Sequence, residues 1–288
     1  MARRLTLRAG DLTVELAPDI GGAVAAFRRG RDPVFRDSPA RLGDVLDAGS
    51  FPLVPFVNRV RDGRFRFRGR EIRLSPNLAP QRHPLHGQGW RNPWTVAGAD
   101  AATAELTFRH APGEWPWAYE SRQRFVLDAR GLSIDLSVEN RSPEVMPAGL
   151  GLHPYFPAGP DTVLSTTVSE VLTVDEEIMP VAVEPAVGRY DLHERRINGA
   201  GLDNGYEGWS GSAELRWPDR DLRLRITASE NARRFQVYAP AKGGVVVAEP
   251  VTHANDAFSQ PEDRWPQLGL VLLEPGAVLA MSGRFELF

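Results

Sequence analysis

Two histidines in a short loop are the first residues whose types and spacing could do chemistry. His83 and His86 are three residues apart in PQRHPLHGQGWRNPW, and Trp90 and Trp94 follow them. The stretch 80–94 has neither a helical period nor strand alternation, so it is predicted to be a loop. Loops that carry imidazole and indole side chains together often present binding or catalytic groups.

Paired histidines also serve as metal ligands, but a metal site needs further ligands from elsewhere in the chain. His153 or Glu249 could supply the third one. The chain has no cysteine, which excludes disulfides, thiol nucleophiles and cysteine-ligated metal centres. It also has no HExxH pattern. We therefore expect neither a metal nor a cofactor.

Other polar side chains interrupt the apolar pattern at separate places. They are Asn58 and Arg59 before a predicted hairpin, His153 in GLGLHPYFP, Asp203 in LDNGYEGW, and Glu249 after the apolar run VVVA. Each has a structural interpretation when taken alone, such as a buried histidine, an ordinary turn at Asp-Asn-Gly or an exposed carboxylate at a strand end. A functional interpretation rests on the whole set.

The elements that must position these residues are predicted to be strands. Apolar and polar residues alternate along many short stretches, and 24 prolines and 27 glycines punctuate them. The stretches are 5–16, 64–74, 103–109, 121–127, 132–138, 162–174, 213–217, 222–227, 235–238, 245–248, 269–273 and 278–287. Residues 40–47 are a candidate for a short helix. The pattern predicts an all-β fold, a large antiparallel β-sandwich with few short helices.

Length and composition limit the possible functions. The 288 residues contain no low-complexity linker, which favours a single domain over 1–288. With 34 basic and 37 acidic residues, the chain lacks the basic surface that nucleic-acid binding requires. No apolar run approaches the roughly 20 residues that span a bilayer, and the N-terminus does not resemble a secretory signal. We expect a soluble cytoplasmic protein without nucleic-acid or membrane partners.

The order of the polar stretches resembles that of the aldose 1-epimerases, or mutarotases, of the galactose mutarotase-like superfamily. The resemblance rests on Asn58 and Arg59 before the GRF hairpin, on LHG at 85–87 and on HPYF at 153–156, and it covers nearly the whole chain. The match at Asp203 is looser. The resemblance implies one large β-sandwich and an isomerase that interconverts the α and β anomers of a free hexose without a metal or cofactor.

By this resemblance Glu249 is the base that takes the proton of the anomeric hydroxyl, and His153 is the acid that protonates the ring oxygen. Desolvation would raise the pKa of Glu249, and a histidine can be protonated near neutral pH. The residues implied to bind the sugar are Arg59, His86, Asp203, Asn58 and Trp90. One of Trp90, Tyr155 and Trp209 is expected to stack on the pyranose. His83 is expected to be structural.

The expected partner is a small-molecule monosaccharide, and the expected assembly is a monomer or homodimer. Three other carbohydrate-related functions remain open. A hexose-6-phosphate 1-epimerase would need arginines at the phosphate end of the sugar. The candidates are Arg59, Arg61, Arg82 and Arg91. A non-catalytic carbohydrate-binding protein would use the same loops without turnover. A glycoside hydrolase would pair Glu249 with a second carboxylate, either Asp203 or Asp256.

Overall fold

The computed structural model describes residues 3–288, which form mainly short antiparallel strands. In chain order the strands are β1 (Leu5–Ala9), β2 (Leu12–Ala17), β3 (Ala23–Arg29), β4 (Asp32–Pro33), β5 (Pro52–Leu53), β6 (Arg64–Phe67), β7 (Arg70–Arg73), β8 (Thr95–Ala99), β9 (Thr103–His110), β10 (Tyr119–Asp128), β11 (Gly131–Asn140), β12 (Met146–Ala148), β13 (Gly151–Leu152), β14 (Tyr155–Ala158), β15 (Val163–Thr166), β16 (Glu170–Val174), β17 (Pro180–Pro185), β18 (Arg195–Arg196), β19 (Leu202–Glu207), β20 (Ser212–Trp217), β21 (Leu222–Ala228), β22 (Arg234–Ala239), β23 (Gly244–Val251), β24 (Val271–Leu273) and β25 (Val278–Leu287).

The helices of the described range are short 3₁₀ turns of three residues each. They are Val45–Asp47, Arg61–Gly63, Gly89–Arg91, Gly188–Tyr190, Pro218–Arg220, Ala257–Ser259 and Glu262–Arg264. None of them is long and apolar enough to cross a membrane. The prediction of an all-β chain with few short helices is confirmed.

Two large antiparallel sheets form most of the molecule. The nine-stranded sheet has the order β18-β15-β20-β21-β25-β11-β10-β9-β8. The eight-stranded sheet has the order β17-β16-β19-β22-β23-β13-β5, and β14 also pairs with β23. Phe156 of β14 contacts Trp217 of β20 and Phe285 of β25, with ring centroids 6.3 and 6.4 Å apart. The main hydrophobic core therefore lies between the two sheets, which is the predicted β-sandwich.

Strand alternation decides which side chains leave this core. In β23, Val246 and Ala248 belong to the core between the sheets, whereas Val247 belongs to a second, smaller apolar cluster on the opposite face. Successive side chains of a strand point to opposite faces, so Glu249 shares the face of Val247. β22 pairs with β23 in the register that sets Gln236 opposite Glu249. Polar side chains, among them Gln236 and Glu249, lie on this outer face of the eight-stranded sheet.

The expected hairpins are present. β1 and β2 flank the turn at Gly10 and Asp11, and β6 and β7 form the hairpin around Gly69. β10 and β11 pair up to Asp128 and Gly131, the ends of the predicted four-residue turn. In each case a turn sequence separates two alternating stretches, which is sufficient local information for an antiparallel pair.

Parts of the strand map differ from the prediction. The stretch 162–174 forms two strands, β15 and β16, which belong to different sheets. Residues 203–205, for which a turn was the structural alternative, lie inside β19, where Leu202 and Tyr206 are buried in the core. Burial of these flanking residues outweighs the turn preference of Asp-Asn-Gly, because strand formation depends on packing more than on intrinsic preference. The candidate helix is reduced to the turn Val45–Asp47.

Candidate active site

One cavity of about 230 Å³ gathers side chains from widely separated parts of the chain. It is lined by every residue assigned to a site from the sequence, namely Asn58, Arg59, His86, Trp90, His153, Asp203 and Glu249. Further polar lining comes from Gln81, Tyr155, Gln236 and Tyr238. Two larger grooves on the surface of the described residues contain none of the assigned residues.

Glu249 and His153 are in contact within this cavity. The Nε2 atom of His153 lies 3.3 Å from Oε1 of Glu249, and both side chains are buried. Glu249 belongs to β23 itself, whereas the sequence suggested that it follows the strand. His153 comes directly after β13, which pairs with β23 through Gly151 and Val251. The pairing of these strands thus brings a carboxyl group and an imidazole together from distant parts of the chain.

The electrostatics of the cavity favour a protonated Glu249. Burial raises its pKa well above that of an ordinary glutamate, the Asp203 carboxylate raises it further, and the Arg59 guanidinium opposes both effects. Burial also raises the pKa of Asp203, while Arg59 and a hydrogen bond from Gln236 lower it. The direction expected for the pKa of Glu249 from desolvation is confirmed.

The surroundings of His153 act in the opposite direction. Burial lowers the pKa of His153 to about 3, and the Arg36 guanidinium contributes to the decrease. The rings of Phe51 and Tyr155, with centroids 4.4 and 4.7 Å from that of His153, displace the water that would solvate an imidazolium. A histidine can be protonated near neutral pH, but burial opposes this at His153. A single proton shared by the pair resides on Glu249.

His86 has a fixed tautomer. Its Nδ1 atom accepts a hydrogen bond from the backbone N–H of Asn58 at 3.0 Å. Burial, then the charges of His153 and Arg59, lowers the pKa of His86 well below that of free imidazole. A neutral imidazole that accepts at Nδ1 carries its proton on Nε2. His86 therefore offers one N–H donor to the cavity that it lines.

Asn58 and His86 hold each other in an uncommon backbone conformation. Their φ angles are 56° and 60°, in the left-handed region. The backbone N–H of His86 donates to the carbonyl of Asn58 at 3.0 Å, in return for the bond that Asn58 donates to the His86 ring. Strained non-glycine backbone of this kind persists where the surrounding contacts enforce it, and it is frequent at functional sites.

Arg59 and Asp203 supply further charged groups to the cavity and interact electrostatically with each other. One terminal nitrogen of Arg59 donates to the Asn58 side chain at 3.1 Å, while its buried Nε atom has no hydrogen-bond partner among residues 3–288. An Asp203 oxygen accepts from the Gln236 amide at 3.0 Å. Buried polar groups normally have partners, so an unpaired guanidinium nitrogen in a residue that lines the cavity is uncommon.

The aromatic candidates occupy different positions. Trp90 is fully buried, donates its indole N–H to a backbone carbonyl of its own loop and stacks behind Phe51, with ring centroids 5.4 Å apart. Phe51 and Tyr155 line the cavity directly. Trp209 lies outside the cavity and donates to the hydroxyl of Thr166. Trp209 is therefore removed from the three stacking candidates, because its indole is part of the packing around β15.

His83 is a structural residue, as expected. Its Nδ1 atom accepts the backbone N–H of Asp62 at 2.9 Å, and its Nε2 atom lies 3.5 Å from Oε2 of Glu177. The metal interpretation of the two histidines therefore fails, because the Nδ1 atoms of His83 and His86 both accept backbone hydrogen bonds. Within the described range, no group of three or more histidine, aspartate and glutamate side chains is arranged to hold a metal ion.

Of the arginines considered for a phosphate site, Arg59 alone lines the cavity in the described structure. Arg61 forms an ion pair with Asp256 at 2.9 Å, and Arg82 lies in exposed ion pairs on the surface. Arg91 is exposed. Asp256 also lies outside the cavity, which removes it as the second carboxylate of a hydrolase.

The sequence did not identify Gln81, Phe51, Gln236 and Tyr238. The strand at 235–238 was predicted, and its polar positions alternate with apolar ones, so a signal for an outward face was present. What the sequence lacks is the register that sets Gln236 opposite Glu249 and Tyr238 opposite Asp203. No signal marked Phe51 or Gln81, since neither belongs to a regular pattern.

Known proteins resemble this chain in sequence and in fold. The family model described as aldose 1-epimerase matches residues 3–286. The uncharacterized protein YphB of Escherichia coli K12 is 32% identical over 280 residues, which is 94% of each chain. A crystal structure of a candidate aldose 1-epimerase from Escherichia coli K12 superposes with a TM-score of 0.91 at 29% identity, covering 100% of this chain and 99% of the other. A galactose mutarotase-like protein from Clostridium acetobutylicum has the same fold, with a TM-score of 0.86 at 18% identity and coverage of 100% and 95%. This chain therefore belongs to the aldose 1-epimerase family.

Proposed function

We propose that the protein is an aldose 1-epimerase, or mutarotase, an isomerase that interconverts the α and β anomers of a free hexose. The observation that carries the proposal is the 3.3 Å contact between His153 and Glu249 in a cavity rich in hydrogen-bonding groups. The anomeric hydroxyl and the ring oxygen of a pyranose are bonded to the same carbon. An acid and a base in contact can therefore reach both oxygens at once.

The reaction requires two coordinated proton transfers. Glu249 takes the proton of the anomeric hydroxyl, the bond between C1 and the ring oxygen breaks, and His153 delivers its proton to that oxygen. The resulting aldehyde rotates about its C1–C2 bond, and the ring closes on the other face with both protons returned. No proton is gained or lost overall. Each positioned group contributes roughly 10²–10⁴-fold to the rate.

The proton of the pair must be on His153 before the ring opens, whereas burial by the protein alone favours Glu249. The Arg59 guanidinium lowers the pKa of Glu249 and so stabilises the carboxylate form. A sugar that brings its hydroxyl groups to Glu249 also hydrogen-bonds the carboxylate, which favours the charged form further. Substrate binding thus moves the shared proton to His153.

The other lining residues bind and orient the sugar in this proposal. His86 donates from Nε2 and Arg59 from Nε to the ring oxygen or an adjacent hydroxyl, where negative charge develops. Asn58 braces the Arg59 guanidinium. Asp203 accepts sugar hydroxyls, as carboxylates do well. Trp90 supports the aromatic wall from behind, and the exposed ring faces of that wall pack against the pyranose.

The test is anomer exchange from pure α-glucose and α-galactose, followed by polarimetry or NMR. Glu249→Gln and His153→Ala are each expected to lose at least about 100-fold in kcat/KM. Glu120→Gln is the matched control, because Glu120 is a buried carboxylate on the nine-stranded sheet, outside the cavity. Wild-type protein that exchanges no free aldose overturns the proposal. Full activity in either site variant removes that residue from its role.

A free sugar fits the cavity better than a hexose 6-phosphate. Two carboxylates, Asp203 and Glu249, line it, and its arginine, Arg59, is already held by Asn58. Bound phosphates are usually met by several unpaired cationic or N–H donors. Comparing glucose with glucose 6-phosphate as substrates decides between them. A cytoplasmic setting and a monomeric or homodimeric state stay predictions from the sequence.

A sugar-binding protein without turnover and a glycoside hydrolase are the remaining competitors. Binding that survives Glu249→Gln, together with no exchange in the wild type, would support the first. Release of reducing sugar from a nitrophenyl glycoside would support the second, with Asp203 as the other carboxylate. The imidazole in contact with Glu249 favours epimerisation over both, because neither competitor has a use for it.

A further inference from the structure

We infer that residues 252–256, the sequence THAND that follows the strand of Glu249, form a positioning segment that holds the loop of Asn58 and Arg59 and the loop of His153 in place beside Glu249. This inference deepens the proposed function and rests on it for the identity of the reaction. None of the THAND side chains lines the cavity in the described structure, so they act through the residues that do.

Alternate backbone N–H groups of residues 57–61 are accepted by side chains of the THAND segment. The bonds run from Val57 to Nε2 of His253 at 2.9 Å, from Arg59 to Oδ1 of Asn255 at 3.1 Å and from Arg61 to Oδ1 of Asp256 at 3.2 Å. Three backbone donors of the loop, spread over five residues, are therefore all held by side chains of one segment.

Thr252, the first residue of the THAND segment, holds the loop that leads to His153. The Thr252 hydroxyl accepts the backbone N–H of Leu150 at 2.9 Å, and the Thr252 N–H donates to the Leu150 carbonyl at 2.9 Å. The His253 ring packs against Gly149 so closely that a Cβ atom there would lie 2.0 Å from its Cδ2 atom. Glycine is therefore required at 149, which lies two residues before β13 and four residues before His153.

Each acceptor of the THAND segment is itself fixed. His253 donates from Nδ1 to the Ala254 carbonyl at 2.8 Å, which leaves Nε2 as the acceptor. The Asn255 amide donates to the Ile178 carbonyl at 2.9 Å, which orients its oxygen towards Arg59. These side chains are buried, so a broken bond would leave an unpaired polar group out of reach of water.

The loop needs this support because of Asn58. With a φ angle of 56°, Asn58 is held in a left-handed conformation that must be enforced by its neighbours. His253 and Asn255 hold the N–H groups on either side of it, and His86 holds its own. Loss of the Asn255 bond is expected to free the Arg59 backbone and to misplace its guanidinium in the cavity.

The experiment compares Asn255→Leu with Asn255→Asp, which keeps the acceptor for the Arg59 N–H. Asn255→Leu is expected to lower kcat/KM for anomer exchange by up to about 100-fold, and Asn255→Asp to recover most of it. The control is Asn140→Leu. Asn140 is an equally buried asparagine that donates to the carbonyls of Glu144 and Leu273, outside the cavity. This control is expected to lower the Tm without changing kcat/KM of the folded protein.

A double-mutant cycle separates positioning from general destabilisation. In an Arg59→Met background, Asn255→Leu is expected to cause no further loss of kcat/KM, because its effect passes through Arg59. Losses that simply add would overturn the inference.

If the wild type exchanges no aldose, the proposed function is wrong but the positioning role is not yet decided. The hydrogen bond from the Arg59 N–H to Asn255 is then tested by hydrogen exchange of the Arg59 amide. We expect slow exchange in the wild type and fast exchange in Asn255→Leu. Equal exchange in the two proteins would overturn the inference.

Discussion

The Nε2 atom of His153 lies 3.3 Å from Oε1 of Glu249, and the pKa values of the two groups are displaced in opposite directions. Burial disfavours charge on either group, so the carboxyl holds the proton that the imidazole would carry in water. Groups this close titrate as a pair, and in the proposed reaction the pair is active while it holds one proton. Several expected outcomes follow from this state.

The first concerns the pH dependence of kcat/KM. A second proton adds to the pair only near the lowered pKa of His153, about 3, instead of the value of about 6.5 for a free histidine. No loss of activity with an apparent pKa near 6.5 is therefore expected as the pH is lowered to about 5. The measurement is anomer exchange at each pH, with the spontaneous rate subtracted. A decrease with an apparent pKa near 6.5 would contradict a buried, neutral His153.

The second concerns the stability of Glu249→Gln. Because the pKa of Glu249 is raised in the folded protein, the unfolded chain ionises more readily above the ordinary value, and the wild-type residue lowers the free energy of unfolding at neutral pH. Glutamine removes this effect and is expected to raise the Tm at pH 7 while lowering kcat/KM by at least about 100-fold. The gain should shrink towards pH 4, where the carboxyl is protonated in both states. Calorimetry at the two pH values tests it.

Glu120→Gln is the control for that measurement. Burial raises the pKa of Glu120, but the hydrogen bond and charges of Arg109 and Arg122 outweigh it, and the net shift is downwards. Its ionised form therefore contributes stability above the ordinary glutamate pKa, and this contribution is lost as the pH falls. Glu120→Gln is expected to lower the Tm at pH 7. A Tm change of the same sign in both variants would argue against the assigned pKa directions.

The third concerns Asp203. Its negative charge is one cause of the raised pKa of Glu249, so Asp203→Asn is expected to lower that pKa. Glu249 then loses its proton at lower pH, and the alkaline limit of kcat/KM should move in the same direction. Asparagine retains an oxygen for the Gln236 amide, which preserves the local packing. Asp161→Asn, at an exposed ion pair with Arg196, should leave the profile unchanged. If the alkaline limit of Asp203→Asn equals that of the wild type, the charge of Asp203 does not raise the pKa of Glu249.

The fourth compares the two histidines of the 80–94 loop. Both accept a backbone N–H at Nδ1, and an asparagine oxygen can replace that acceptor in each. His86→Asn also loses the Nε2 donor of the cavity and is expected to lower kcat/KM by roughly 100-fold. His83→Asn is expected to leave kcat/KM unchanged and to alter only the Tm. Equal losses of activity in the two variants would contradict the separation of their roles.

The sequence was sufficient for the fold class and for seven of the residues that line the cavity. Alternating stretches and turn residues encode strands locally, and the ordered motifs around Asn58, His86 and His153 carry the family resemblance. All residues assigned from it line one cavity, Glu249 and Asp203 included. Their chemical roles stay predictions until the variants are measured.

The chemical environment of each site residue could not be predicted from the sequence. The pKa of His153 depends on Phe51, Tyr155 and Arg36, which reach it by tertiary packing alone. The strand position of Asp203 was missed because its local sequence favours a turn. Gln236 was missed because its relation to Glu249 is a register between strands, and no local pattern encodes register across long loops.

The pairing of β5 with β13 and of β13 with β23 also governs how the protein acquires activity while it folds. These short strands come from an early, a middle and a late part of the chain, so long loops must close before they meet, and such topologies fold slowly. The cavity has no local precursor, because neither half of the proton-transfer pair has its neighbours until β23 joins the sheet. A refolding chain that has only its hairpins is therefore expected to be inert.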